Sequence, residues 1–226
     1  MATFQVQVED MVGTVGGDSS DTTALASFLT DGAKDVINHM PLSLLRLCSA
    51  EVSFTPQSVG SESSASTLNT AKVYNIRRND GTIDQQCRLI RTSLKGRASD
   101  SDDMEYATVT DPVYYIESNF LNILPSSSSA VGKYSEVQYP AVAYGDNDIS
   151  TFPDELESLV VLYAAMKGME RIITDIIGTD EDIELGQARK DQYTWLLNQY
   201  NSGLQNMMGV PIGGGGGGGA AARAVR

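Results

Sequence analysis

The sequence predicts an α+β protein: a helical bundle interrupted by a small inserted antiparallel β-sheet domain and followed by an extended C-terminal tail. Three observations predict it. Apolar residues recur with the 3.6-residue period of a helix before about residue 50 and after residue 150, but with the two-residue period of strands between them. The turn dipeptides Asp80-Gly81 and Ser118-Asn119 punctuate only the middle. Seven consecutive glycines, Gly213 to Gly219, stand close to the C-terminus. The implied divisions are an N-terminal arm over 1–20, a bundle from 21–50 and 151–206, a β insertion over 51–150, and a Gly-rich arm over 207–226.

Taken in order, residues 1–21 are rich in Gly and Asp and open on an alternating Phe4, Val6, Val8, which reads as an arm that pairs with another strand or stays loose. Ser19, Ser20 and Asp21 supply a cap for a helix to about residue 39, with Ala24, Leu25, Phe28, Leu29, Val36 and Ile37 on its apolar face. Pro41 suits the first position of a second, short helix carrying Leu42, Leu44, Leu45, Leu47 and Cys48 on nearly every side. After the Ser-rich stretch from Gln57 to Asn69, Lys72–Arg78 and Thr82–Arg91 flank Asp80-Gly81 as one hairpin. Val113–Glu117 and Phe120–Leu124 flank Ser118-Asn119 as a second, and Tyr134–Tyr139 adds a fifth strand.

The strongest helical signal begins at Ser150 and Thr151, two candidate caps. Pro153, Asp154 and Glu155 suit a first turn, and Leu156 to Ile177 is apolar on most faces. A helix over 153–177 would be roughly 38 Å long. Gly178 ends it, and Thr179 with Asp180 to Asp182 starts another that carries Ile183, Ala188, Trp195, Leu196, Tyr200 and Leu204. The expected antiparallel pair buries Val160, Tyr163, Ile173 and Ile176 against Trp195, Leu196 and Tyr200.

Charge narrows the function classes. Asp and Glu number 29 against 16 Lys and Arg, for a net charge of −13, so a grip on the outside of a DNA duplex through neutralised phosphates is excluded as a first reading. No apolar run reaches the roughly 18 to 20 residues of a membrane span, and the opening Met-Ala-Thr-Phe-Gln has no basic region of a leader. The expectation is a soluble chain made in a reducing compartment, with Cys48 and Cys87 as buried thiols. His39, the single histidine, reads as a helix-end residue.

No catalytic constellation stands out, and no enzyme activity, cofactor or metal is expected. Asp100, Asp102, Asp103, Glu105 and Asp111 partly match a calcium loop. Met104 stands where a ligand is needed, Glu105 replaces the turn glycine, and Asp111 lacks the reach of a bidentate Glu. The carboxylates of Asp154 and Glu155, like those of Asp180 to Asp182, are explained by the helix dipole. Lys95, Arg97, Arg77, Arg78, Arg88 and Arg91 concentrate positive charge in the β insertion, either paired with neighbouring acids or facing an acidic partner.

The glycine run has no Lys, Ser or Thr of a phosphate loop after it. It is either a flexible terminus or a side-chain-free strand that enters a crowded channel or a partner's sheet edge. From Asn206 onward there is no acidic residue, and Arg223 and Arg226 give this end +2. Extended, Met207 to Arg226 would reach roughly 65 Å. The candidate partner-binding residues of this arm are Val210, Pro211, Ile212, Gly213, Gly219, Arg223, Val225 and Arg226, and the candidate subunit-packing residues are Leu156, Val160, Tyr163, Trp195 and Tyr200.

The run Phe152-Pro153-Asp154-Glu155-Leu156-Glu157-Ser158-Leu159-Val160-Val161-Leu162-Tyr163-Ala164-Ala165, with Ala188 to Tyr193 and Trp195 to Leu204 after it, resembles the head-to-tail connector or adaptor proteins of tailed bacteriophages. Lys95 to Ala98, Tyr106 to Thr108, Asp111 to Glu117 and Ile123 to Pro125 are similar to the β insertion of larger phage adaptors. The resemblance covers about residues 20 to 205. It implies a structural virion protein of the neck, assembled in the host cytoplasm. Such a protein forms a homo-oligomeric ring, commonly of about twelve copies, between the portal protein and a tail, tail-terminator or nozzle protein. Genomic DNA passes through the ring without specific binding. It also implies that the C-terminal arm, here 207–226, docks on the portal. A different phage structural role, tail completion or capsid decoration, fits the same features. An enzyme using the acidic loop 100–105 is the rival from another class.

Overall fold

The computed structural model describes residues 2–13, 19–56, 66–68, 72–176 and 183–209. Helix and sheet segregate into two compact units, making the protein α+β. Met1–Leu44 together with Pro140–Arg226 form one unit, and Leu45–Tyr139 the other.

The first unit is helical. Residues 4–12, expected within an arm, form helix α1 (Phe4–Val12). Phe4, Val8 and Val12 recur every fourth residue and are buried, whereas Val6 is exposed, so the helical period wins over the two-residue one. Two of the amide groups that a helix start leaves unpaired are satisfied at a distance: Phe4 N–H donates to Asp146 O (2.8 Å) and Gln5 N–H to Tyr144 O (3.2 Å). Helix α2 (Ser19–His39) buries Leu25, Leu29, Ala33, Val36 and Ile37.

Helix α5 (Asp154–Asp175) is the centre of this unit, because α1, α2 and helix α6 (Ile183–Met207) all pack on it. That explains why Val160, Val161, Ala164, Ala165, Met166 and Met169 are buried around most of its circumference. Its N-cap is Pro153, without a side-chain cap, so Ser150 and Thr151 do not play the capping part expected of them. Gly178, Thr179 and Asp180 to Asp182, expected to turn and cap the next helix, lie outside the described residues. The expected boundary at residue 150 falls earlier, at Tyr139. The segment after it is held by the helices: Val142 N–H donates to Thr30 Oγ1 (3.0 Å), and buried Ile149 N–H to Glu157 Oε1 (2.7 Å).

Between the two parts of the helical unit the chain makes the short helix α3 (Leu42–Leu45) and a 3-10 turn, Arg46–Cys48. Leu45 and Cys48 are buried there but Leu42 and Leu47 are exposed, so this apolar segment is covered on only part of its surface.

The β unit is two four-stranded sheets rather than one small sheet. Strands β1 (Ser49–Phe54), β3 (Val73–Asn79), β4 (Asp84–Gln86) and β8 (Val131–Val137) form the first, in the order β1-β8-β3-β4. Strands β2 (Ser66–Thr67), β5 (Arg88–Leu89), β6 (Val113–Glu117) and β7 (Phe120–Leu124) form the second, in the order β2-β7-β6-β5. Strand β1 was not expected, and the stretch Thr82–Arg91 is not one strand. Cys87 N–H donates to Ile76 O (2.9 Å) in the first sheet, while Arg88 N–H donates to Pro112 O (2.8 Å) in the second. The chain therefore changes sheets at that step, and β5 pairs with β6 in parallel.

The Ser118-Asn119 hairpin is as the dipeptide predicts. Glu117 pairs with Phe120 across two residues whose φ angles are +51° and +69°, the hand that matches strand twist. The other hairpin closes later than a two-residue turn would. Asn79 pairs with Asp84, and the Asp80 carboxylate accepts the Thr82 and Ile83 amides at 3.0 and 3.3 Å. Those bonds hold Asp80 below the usual carboxylate range.

The second sheet is covered on both faces. Leu68, Leu121 and Ile123 pack with Ile76, Cys87 and Tyr134 of the first sheet, and the Phe54 and Tyr134 rings meet edge to face at 6.0 Å. Val113, Tyr115 and Leu124 look the other way, onto Ile90, Ala107 and Ala98 of helix α4 (Lys95–Ser99).

Candidate interaction surfaces

The residues singled out for subunit packing divide into a seam and an exposed ring. The seam joins α5 and α6 antiparallel. Gly203 lies against Leu159, Tyr200 meets Tyr163 edge to face at 5.8 Å, and Tyr193 Oη donates to Glu170 Oε1 at 2.9 Å. A Cβ on Gly203 would meet Leu159 Cδ2, so the leucine would have to shift for any larger residue there. Val160 is fully buried and Leu156 half-buried. Tyr200 Oη donates to Asp35 Oδ2 (2.5 Å), tying α6 to α2. Burial, and then that carboxylate, push the Tyr200 phenol far above its ordinary value.

Trp195 is not in the seam. The buried line of α6 is Leu196, Tyr200 and Leu204. Five residues at about 100° each place Trp195 roughly 140° round the helix from Tyr200, where its side chain is 56% exposed. The expected contact of the helix pair included Trp195, but its helical phase turns it away from Tyr200 and Leu196.

The carboxylates singled out act on protein groups. Asp154 and Glu155 occupy the first turn of α5 with Glu157. Glu157 is buried, accepts the Ile149 amide, and is raised above the ordinary carboxylate range, first by burial and then by the nearby acids Asp148 and Asp154. Glu170 is exposed to burial's upward push too, but Lys167 and Tyr193 outweigh it and hold the carboxyl low. In the loop after α4, Asp103 is bound by Arg97 (2.8 Å) and Glu105 by Arg88 (3.3 Å). Asp111 reaches the same Arg88 at 3.4 Å. Among the described residues no group of three or more His, Cys, Asp or Glu side chains is placed to hold a metal ion.

Most of the basic cluster is also spoken for. Arg77 bridges Glu51 and Asp84, and Lys95 binds Glu117 at 2.9 Å. Arg78 is buried, with Nε donating to Pro125 O at 2.9 Å. Arg91 alone of this cluster has no hydrogen-bond or ion-pair partner for its guanidinium among the described residues. Cys48 and Cys87 are buried and in no disulfide, their thiols raised by burial to about 11 and about 12. His39 closes α2, its Nδ1 2.8 Å from Asp35 O. The arm residues Val210, Pro211, Ile212, Gly213, Gly219, Arg223, Val225 and Arg226 lie outside the described residues.

No family model and no curated protein matches this chain. No helix among the described residues is long and apolar enough to cross a membrane. The surfaces that sequence reasoning passed over are apolar and exposed. Met104 stands alone at the tip of an acidic loop, and Leu89 and Ile116 flank Arg91. The one signal in the sequence was an isolated methionine within Asp100 to Glu105, weighed there only as a failed calcium ligand.

Proposed function

We propose that this chain is a structural virion protein of a tailed bacteriophage, a head-to-tail adaptor that forms a ring between portal and tail and lets DNA pass. The observation that carries the reading is where the large apolar side chains stand. Trp195 on the helical unit and Leu89, Met104 and Ile116 on the β unit are exposed, while most of the carboxylates and cations singled out are engaged in caps and ion pairs. Surfaces of that kind serve protein contacts rather than chemistry. The helices are read as a bundle that forms the body of the ring, with α5 at its core.

The net charge of −13 suits a passage through which a polyanion slides, since like charge at short range opposes binding. Heterologous contacts of one kind close into a ring when their rotation permits. The basic, glycine-rich C-terminus from Met207 is assigned to the portal. Mixing the full chain with the portal protein of its own phage and weighing the complex by native mass spectrometry tests this. A cyclic complex of about a dozen copies, lost on truncation after Met208, is expected. A chain that stays monomeric and never associates with portal or virions overturns it.

A further inference from the structure

We propose that copies of this chain join head to tail through the β unit, Met104 of one copy entering the hollow beside Arg91 of the next. The repetition of this contact around a closed circle rests on the ring proposed above. The contact itself rests on two surfaces of one unit.

The first surface is a knob. Met104 is 99% exposed, at the tip of the loop that follows α4. The loop's base is fixed by Arg97 on Asp103, Arg88 on Glu105, and Ala107 N–H donating to Ala98 O at 2.9 Å. Tyr106 and Val109, further along the same loop, are exposed too. Asp102 is exposed, and its carboxylate has no cation partner among the described residues. A methionine held fully in water on an anchored loop is an apolar anchor without a pocket, and its flexible thioether adapts to the shape it meets.

The second surface is a hollow without an anchor. Leu89, Ile90, Arg91, Thr92 and Ile116 line an open depression of about 580 Å³. Leu89 is 64% and Ile116 40% exposed. The guanidinium of Arg91, the cation of the basic cluster without a partner among the described residues, stands at the rim of this apolar floor. Apolar floor and unpaired cation match apolar tip and unpaired Asp102, which is the complementarity that fixes register between partners.

Strand register decides how the two surfaces face. Arg88 pairs with Val113 and Leu89 with Tyr114 in a parallel ladder, so each pair shares a face. Val113 belongs to the cluster under α4, and Tyr114 packs on the core between the sheets. The hollow takes in Ile90 of the cluster under α4 as well, and alternation puts Leu89 and Ile116 on the Tyr114 face of the second sheet. Arg88, with the loop it holds, is on the other. Met104 is 99% exposed, so it does not fill the hollow of its own chain. Successive copies satisfy both knob and hollow in a repeating, head-to-tail contact.

Disulfide trapping tests it on the full chain, since Cys48 and Cys87 are buried. A chain carrying both Met104→Cys and Leu89→Cys should give a ladder of dimers, trimers and higher species under mild oxidation. An equal mixture of the two single variants should stop at the mixed dimer. Arg91→Glu should weaken self-association measured by sedimentation roughly tenfold, and mixing it with Asp102→Arg should restore the mixed contact. Absence of any ladder, with or without portal, overturns the contact, as does a charge swap that restores nothing. A ladder from a chain that never binds portal keeps the contact and removes the adaptor role. A portal-bound ring without a ladder does the reverse.

Discussion

In the helical unit one element, α5, is packed on by α1, α2 and α6, and small residues let the backbones approach: Gly203 at Leu159, Gly32 against the Tyr163 ring. In the β unit no strand has that place. Its second sheet is buried on both faces by different partners, the first sheet on one side and α4 on the other. The helical unit depends on a few close approaches along one rod, and the β unit on two separate clusters that share a sheet. A lesion in the first should loosen several helices together, whereas a lesion in one β cluster should leave the other standing.

The largest expected effect comes from the β unit. Tyr134 is fully buried in the core between its sheets. Tyr134→Ala should cost about 3–5 kcal/mol and, by calorimetry, melt the core between the sheets ahead of the helical unit as a separate transition. A single unchanged transition would contradict the independence of the two units. Leu196→Ala, on the buried line of α6, should cost about 2–5 kcal/mol and be felt at α2 through Tyr200 and Asp35. Hydrogen exchange should show α2 amides losing protection while β6 and β7 keep theirs.

Smaller effects sharpen the contrast. Glu157 is held above the ordinary carboxylate value, so between that value and its raised one the folded chain keeps a proton the unfolded chain has released. Its contribution to stability therefore falls as pH rises through that window. Glu157→Gln keeps an acceptor for Ile149 and should flatten that fall in melts from about pH 4 to about pH 8. Glu157→Ala strands the amide and should cost about 1–3 kcal/mol. The smallest change is a gain: Asn119→Gly, at φ +69°, should add up to ~1 kcal/mol by relieving a left-handed residue in a turn of that hand.

Local signals made the helices and one hairpin legible. The period of Leu25, Leu29, Val36 and Ile37 and the Ser118-Asn119 dipeptide act within a few residues, where chain chemistry decides. Non-local choices were not legible. Nothing in Thr82–Arg91 announces that Cys87 bonds one sheet and Arg88 the other, because pairing partners lie elsewhere in the chain. Val6 and Trp195 were misplaced for a related reason. A short apolar run fits either period, and an apolar side chain alone does not give helical phase. The contact surfaces were the least legible part, since Met104, Leu89 and Arg91 come together as knob and hollow only once the faces of the second sheet are assigned.

The assembled particle gives the most direct test of an adaptor role. A cryo-EM reconstruction of the full chain bound to its portal should show a closed ring of identical copies around an open, acidic channel, with the C-terminal residues after Met208 lying on the portal. A monomer bound singly, or a chain spread over the capsid shell and absent from the neck, would contradict it.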